Sequence, residues 1–192
     1  NLNKKRKAIF LDRDGTINKY DGEILKENDL NLYDFATEAI KKINDSEYLS
    51  IIITNQPGIA KGFITEKELH SIHNKLESDL GRSGAKIDGI YYCPHHPEKG
   101  FSGEIKSLKM KCSCRKPKTG LIKRAVLDFN IDLKKSFFIG DSTADARVAE
   151  NARVKFIGIK TGRGLKDGIN KMGKKNIMKK NLLEAVTYIL KK

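Results

Sequence analysis

The chain alternates short uninterrupted apolar runs with stretches whose apolar residues recur at helical spacing. Residues 7–11, 48–53, 89–92, 136–139 and 154–159 have the length and apolar continuity of buried strands. Between them, Phe35, Ala39, Ile40 and Ile43 share one helical face, and 120–129 and 143–151 read as further helices. Thr65 with Glu68 three residues on is a capping box that opens an amphipathic helix to about Leu80. Asn181 can cap a last helix whose apolar face is Leu182, Leu183, Val186, Ile189 and Leu190. Strands apolar on both faces, alternating with helices, imply an α/β fold built on a doubly wound parallel sheet. In such sheets chemistry collects beyond the carboxyl ends of the strands.

The polar clusters fall at those ends. Asp12-Arg13-Asp14-Gly15-Thr16, Thr54-Asn55, and Gly140-Asp141 with Asp145 each follow directly on a strand run. The side-chain period of a strand is two, so Asp12 and Asp14 are expected to project the same way and share one small volume. Two anions placed together call for a proton or a hard cation such as Mg²⁺, and Asp141 can complete the set. Asp-Gly is also a common turn dipeptide, so Asp12 and Asp14 alone could simply cap turns. Three strand ends delivering carboxylates and a hydroxyl to one sheet edge instead make a divalent-cation and phosphate site.

All three cysteines lie in one region, as Cys93-Pro94-His95-His96 and Cys112-Ser113-Cys114. Two close pairs of soft ligands separated by a loop suit a tetrahedral structural zinc, although three unrelated buried thiols would give the same composition. An odd count in a reducing compartment argues against disulfides. His70 and His73 lie on the 65–80 helix with no acid or thiol at metal spacing, and a surface or packing role is expected for them.

These strand-end motifs, in this order and together with Lys116 in Arg115-Lys116-Pro117, resemble the four motifs of the haloacid-dehalogenase-like phosphatases. More narrowly, 54–62, 91–97 and 112–117 resemble the D-glycero-D-manno-heptose 1,7-bisphosphate phosphatase subgroup and the related histidinol-phosphate phosphatases, the match running through about residue 162. The resemblance implies a Mg²⁺-dependent phosphatase in which Asp12 is the nucleophile that forms an aspartyl-phosphate. Asp14 is then the general acid and later the base. It implies Mg²⁺ held by the Asp12 and Asp141 carboxylates and the main-chain carbonyl of Asp14. Thr54 binds the phosphoryl group and Lys116 balances its charge. Asn55, Gln56, Arg115 and Lys116 contact substrate, Arg115 reaching a second phosphate or hydroxyls. It favours Zn²⁺ on Cys93, His95, Cys112 and Cys114, with His96 outside; a Cys93/His96 arrangement is the alternative. The expected substrate is a small phosphosugar, most narrowly the C7 phosphate of the heptose bisphosphate. Histidinol phosphate and nucleic-acid 3′-phosphates belong to the same reaction class. A non-catalytic zinc-stabilised binding module is the reading from another class, and intact Asp12, Asp14, Thr54, Lys116 and Asp141 argue against it. One departure stands out: the heptose enzymes often carry Lys directly after the final motif aspartate, where this chain has Ser142.

At 192 residues the chain is expected to form a single domain, 1–192, with a zinc loop at 93–114 and a basic segment at 160–192. The span between Asp14 and Asn55 leaves no room for a large cap domain, so the pocket should be open and roofed only by loops. The net charge of +14 is concentrated at the ends, in Lys4, Lys5, Arg6 and Lys7 and in the ten basic residues of 160–192, which face only Asp167 and Glu184. A nucleic-acid reader carries its charge as a stripe through the fold, so no nucleic-acid partner is expected. The apolar stretches are far short of the roughly 20 residues of a membrane span, and no apolar signal region follows the first residue. A cytoplasmic monomer is the expectation.

Overall fold

The computed structural model describes residues 4–171 and 176–192; the part of the basic 160–192 segment at 172–175 lies outside the described residues. Its centre is a six-stranded, all-parallel sheet in the order β3-β2-β1-β4-β5-β6. The strands are β1 (Lys7–Leu11), β2 (Tyr48–Asn55), β3 (Gly89–Cys93), β4 (Phe137–Gly140), β5 (Lys155–Ile159) and β6 (Ile177–Lys179). The helices are α1 (Ala36–Asn44), α2 (Glu66–Gly81), α3 (Gly120–Phe129), α4 (Thr143–Ala152) and α5 (Leu182–Leu190). The first five strands follow the apolar runs. β6 adds a short edge strand that the sequence pattern does not announce, because Ile177-Met178-Lys179 is too brief to show a period.

Alternation along the strands sorts the core into two layers. Ile9, Leu11, Ile52, Ile139 and Ile157 point to the face covered by α1, α2 and α5, which brings Ala39, Ile40, Ile43, Ile72, Leu76 and Val186 onto it. Ala8, Phe10, Ile51, Ile53 and Phe138 point to the other face, against Leu121, Ile122 and Ala125 of α3 and Val148 and Ala149 of α4. Phe10 and Phe138, paired in register across β1 and β4, also stack with ring centroids 6.3 Å apart. Because β1 is buried on both faces, a one-residue slip would exchange the two layers, and so the strand ends are fixed in depth.

The predicted caps form. Thr65 Oγ1 accepts from the Glu68 amide at 3.2 Å while Glu68 accepts from the Thr65 amide at 2.7 Å, and Asn181 Oδ1 accepts from the Glu184 amide at 3.0 Å. The winding direction reverses between β1 and β4, so the loops leaving these strands diverge there and open a crevice. No helix among the described residues is long and apolar enough to cross a membrane.

Candidate active site

The crevice beyond β1, β2 and β4 is a cavity of about 280 Å³ whose walls include Asp12, Asp14, Thr54, Asn55, Arg115, Lys116 and Asp141. Asp12 follows β1 and donates its amide to the Ile139 carbonyl at 3.0 Å, which carries the sheet pairing one residue past the strand. Asp141 follows β4, and Asp145 is one turn into α4. Oxygen atoms of these three buried carboxylates lie within 4.8 Å of one another. Lys116 is the cation among them. Its Nζ bonds Asp12 Oδ1 at 2.7 Å, Asp145 Oδ1 at 2.6 Å and the Ile53 carbonyl at 2.9 Å.

The electrostatics follow from burying three carboxylates with one ammonium. Burial and the neighbouring Asp145 push the Asp12 carboxyl well above its usual range, against the pull of Lys116. Burial and Asp145 likewise push Asp141 up to about 6. Burial opposes the Lys116 charge, but Asp12 and Asp145 more than offset it and hold the lysine above its ordinary value. The cluster is short of positive charge, and a hard divalent cation on Asp12 and Asp141 is the donor chemistry that remedies this. Asp145 is less free to contribute, since its other oxygen accepts from the Ser142 amide at 3.0 Å and the Ser142 hydroxyl at 2.7 Å in the capping box of α4. Ser142 therefore serves as a helix cap.

Close glycines make room for Asp141. A Cβ on Gly15 (φ +82°) or Gly162 (φ +56°) would collide with Asp141 Oδ2, so both left-handed turns must stay side-chain-free. Arg163 donates its amide to the same oxygen at 2.7 Å.

Asp14 departs from the expectation that it shares the volume of Asp12. β1 ends at Leu11 and the chain turns at once, so strand alternation no longer governs the direction of Asp14. Its carboxylate faces the same cavity but lies outside the acidic cluster. Arg13 holds it at 2.8 Å, Asn18 at 3.1 Å and Gln56 at 3.0 Å. Burial raises this carboxyl, but the Arg13 charge and the bonds from Gln56 and Asn18 outweigh it and leave Asp14 below the usual carboxylate value. Any metal role for Asp14 falls to its main-chain carbonyl.

Thr54 and Gln56 are bonded to each other at 2.9 Å. Asn55 grips the main chain of Lys116 from both sides, accepting from its amide at 2.9 Å and donating to its carbonyl at 3.3 Å. The structure thus ties Asn55 and Gln56 to Lys116 and Asp14. Arg13 has no signal in the sequence, yet it is fully buried, with His73 Nε2 3.1 Å from its Nη1. Burial and the Arg13 charge pull His73 down to about 3, so the ring is neutral and accepts from Arg13. No local pattern could have linked residues 60 positions apart. Tyr20, Arg163, Ile169 and Asn170 also line the cavity, and no motif in the sequence marks them.

The cysteines converge as the resemblance favoured. Cys93, Cys112 and Cys114 have sulfurs 3.0–3.5 Å apart, and His95 Nδ1 lies 3.5 Å from Cys93 and 3.2 Å from Cys114. Zn–S bonds of about 2.3 Å put tetrahedral corners roughly 3.8 Å apart, the scale of this cage. The Arg115 amide points at Cys112 Sγ at 3.3 Å, a donor suited to a metal-bound thiolate. Four protein ligands would leave no open position for water, so a zinc held here would be structural. His96 is outside it, against Lys109 Nζ at 3.3 Å.

The family model for polynucleotide kinase 3 phosphatase matches residues 7–175. A D-glycero-beta-D-manno-heptose-1,7-bisphosphate 7-phosphatase of Haemophilus ducreyi is 37% identical over 186 residues, covering 96% of this chain and 98% of that protein. A D-glycero-alpha-D-manno-heptose-1,7-bisphosphate 7-phosphatase of Photorhabdus laumondii is 39% identical over 150 residues, 78% of this chain and 80% of the relative. Among solved structures, the D,D-heptose 1,7-bisphosphate phosphatase of B. bronchiseptica, complexed with magnesium and phosphate, superposes with a TM-score of 0.84 at 27% identity, covering 96% of this chain and 98% of the other. With a match over nearly its whole length and the strand-end carboxylates gathered in one cavity, the chain belongs to the heptose-1,7-bisphosphate 7-phosphatase family of haloacid-dehalogenase-like phosphatases.

Proposed function

We propose that the protein removes the 7-phosphate of D-glycero-D-manno-heptose 1,7-bisphosphate, with Asp12 as nucleophile. The observation that carries this reading is the Asp12–Lys116–Asp145 linkage beside Asp141, in a chain aligned end to end with a heptose-bisphosphate 7-phosphatase. Lys116 occupies one oxygen of Asp12 and leaves the other for attack on phosphorus. The resulting aspartyl-phosphate splits one displacement into two easier ones. Thr54 and the Lys116 ammonium stabilise the phosphoryl oxygens as their charge shifts. When bound between Asp12 and Asp141, Mg²⁺ supplies the positive charge that offsets repulsion between the carboxylate nucleophile and the phosphate.

Asp14 is the proton carrier. Its lowered value makes the anion the form that waits in the free enzyme, so Asp14 takes up a proton from solvent as substrate binds, gives it to the leaving alkoxide in the first half-reaction, and as the anion so regenerated draws a proton from water in the second. An anionic phosphate arriving beside it raises its proton affinity, which prepares it to protonate the leaving alkoxide. Arg13, Asn18 and Gln56 hold it in place throughout.

We take 1–192 as one phosphatase domain acting as a cytoplasmic monomer. Support comes from α5 packing against α1 and from three free thiols gathered with His95 as a set that could hold a metal. The test is phosphate release from the α- and β-anomers of the heptose bisphosphate, histidinol phosphate and 3′-phosphorylated DNA. A heptose bisphosphate should show the highest kcat/KM. A higher value for 3′-phosphorylated DNA would favour a polynucleotide phosphatase, the activity in the description of the matching family model.

A further inference from the structure

The loop after β5 forms one wall of the cavity, and it is built rather than loose. Thr161 Oγ1 bonds the Gly15 carbonyl at 2.8 Å, the Arg163 amide bonds Asp141 at 2.7 Å, and the Leu165 amide bonds the Asp141 carbonyl at 2.6 Å. Asp167 then ties the loop to α4 by accepting from the Thr143 amide at 2.8 Å. One cationic side chain of this wall lines the cavity. The Arg163 guanidinium lies 5.9 Å from the centre of the Tyr20 ring and makes no ion pair among the described residues. Its nearby acid, Asp167, is spent on Thr143 and on the Ile169 amide. Burial and Glu23 hold the Tyr20 phenol up at about 12, so the ring offers a neutral face to the guanidinium.

Sheet order places this cation across the cavity from Arg115. Arg115 stands on the β2–β3 side, its guanidinium beside the His95 carbonyl, whereas Arg163 follows β5; Asp12 and Asp141 lie between them at the ends of β1 and β4. Lys116 is committed to the acidic cluster, and the Ser142 hydroxyl is committed to Asp145. Resting on the proposed bisphosphate substrate, we propose that Arg163, braced by Tyr20, binds the phosphate that is not transferred and makes the enzyme prefer a bisphosphate over the corresponding monophosphate. A planar fork is suited to that group, and its exposure lets it meet a hydrated anion without first losing a protein partner.

The test compares D-glycero-D-manno-heptose 1,7-bisphosphate with the 7-monophosphate for the wild type, Arg163→Ala and Arg163→Lys. The loop survives either substitution, because the bond to Asp141 comes from the Arg163 main chain. Arg163→Ala should raise KM for the bisphosphate about tenfold to a hundredfold with little change in kcat. The preference for bisphosphate over monophosphate should fall by the same factor. Arg163→Lys should keep part of the preference, and the KM penalty of the alanine variant should shrink from about 20 mM to about 500 mM salt as screening weakens the lost attraction. A wild-type enzyme that turns over the bisphosphate, with Arg163→Ala showing the same preference, overturns the assignment of Arg163 alone. A wild type that turns over neither ester overturns the substrate reading and this inference with it.

Discussion

Replacing Lys116 by Met keeps the apolar stem and removes the ammonium, with its charge and its three hydrogen bonds, so the loss reports on what that group does for the cluster. Nζ is bonded to Asp12, Asp145 and the Ile53 carbonyl, and its side chain is 3% exposed. Without it, three carboxylates share a buried pocket with no cation among them. Removing one partner from a buried ion pair costs about 3–5 kcal/mol, and at about 2–4 °C per kcal/mol for a chain of this size the melting temperature should fall by roughly 6–20 °C. That cost depends on pH in a known direction. Asp12 and Asp141 have raised values in the fold, Asp141 to about 6, so both gain protons as the pH falls and relieve the unpaired charge themselves. Melting in the presence of a chelator should therefore show a large deficit at pH 8 and a smaller one at pH 5. Added Mg²⁺ should recover about 2.7 kcal/mol at a hundred times its Kd. Equal deficits at both pH values, or a loss below about 1 kcal/mol at pH 8, would refute the claim that Lys116 is the cluster's compensating charge.

Asp12→Asn should abolish turnover while the fold persists, and it should raise the melting temperature of the metal-free protein by removing one crowded charge; a tenth of wild-type activity would take the nucleophile role from Asp12. Asp14→Asn should cost about 10²–10⁴ in kcat, the range for a lost general acid and base. His73 titrates at 6.5 when unfolded and near 3 in the fold, so its stabilising contribution is full above pH 6.5 and is lost as the pH falls. Urea unfolding of the wild type against His73→Gln should show the wild type losing about 2 kcal/mol relative to the variant between pH 7.5 and 5, and parallel curves would contradict a neutral His73. Cys114→Ala should lose about one Zn²⁺ per chain by elemental analysis, with activity falling far more than the stability of the sheet; normal turnover in a zinc-free variant would end the clamp reading.

The fold was legible because each of the first five strands is a continuous apolar run and each site motif begins where such a run stops. Asp12, Thr54 and Asp141 could be placed at one sheet edge on that ground alone. What stayed hidden depends on distance in the chain or on short elements. The direction of Asp14 is set by a turn rather than by strand period. The burial of Arg13 is decided by His73 on α2 and by Gln56 after β2, neither of which is a neighbour in sequence. β6 is three residues long, and the wall built by 161–170 carries no periodic signal, only glycines whose purpose appears once Asp141 is seen against them. Ser142 looked like a missing cation in the sequence and proves to be the cap that fixes Asp145.

The zinc cage explains how a cavity without a cap domain can hold its cations still. The segment from Pro94 to Thr119 contains no α-helix or strand among the described residues. The small apolar cluster beneath it is Ile59, Ile64 and Leu69 with Tyr92 and Leu108. Within the segment Lys109 is buried over the Phe101 ring, 4.7 Å from its centre, while Lys106 and Lys111 are exposed. A metal joining Cys93 at the end of β3 to Cys112 and Cys114 closes the loop and couples metal binding to local folding. Cys114 is followed directly by Arg115 and Lys116, and Asn55 then fixes the Lys116 peptide against the end of β2. Two anchors on either side of one residue leave its ammonium little freedom, and that matters because a misplacement near 1 Å can cost about 10² in rate. Opposite, Arg163 is positioned by Asp141 itself, through its own amide. The two sides of the pocket are thus set by different means, the Cys/His cage on one and the Asp141 carboxylate on the other, so loss of zinc should loosen Arg115 and Lys116 while leaving Arg163 and Asp141 in register.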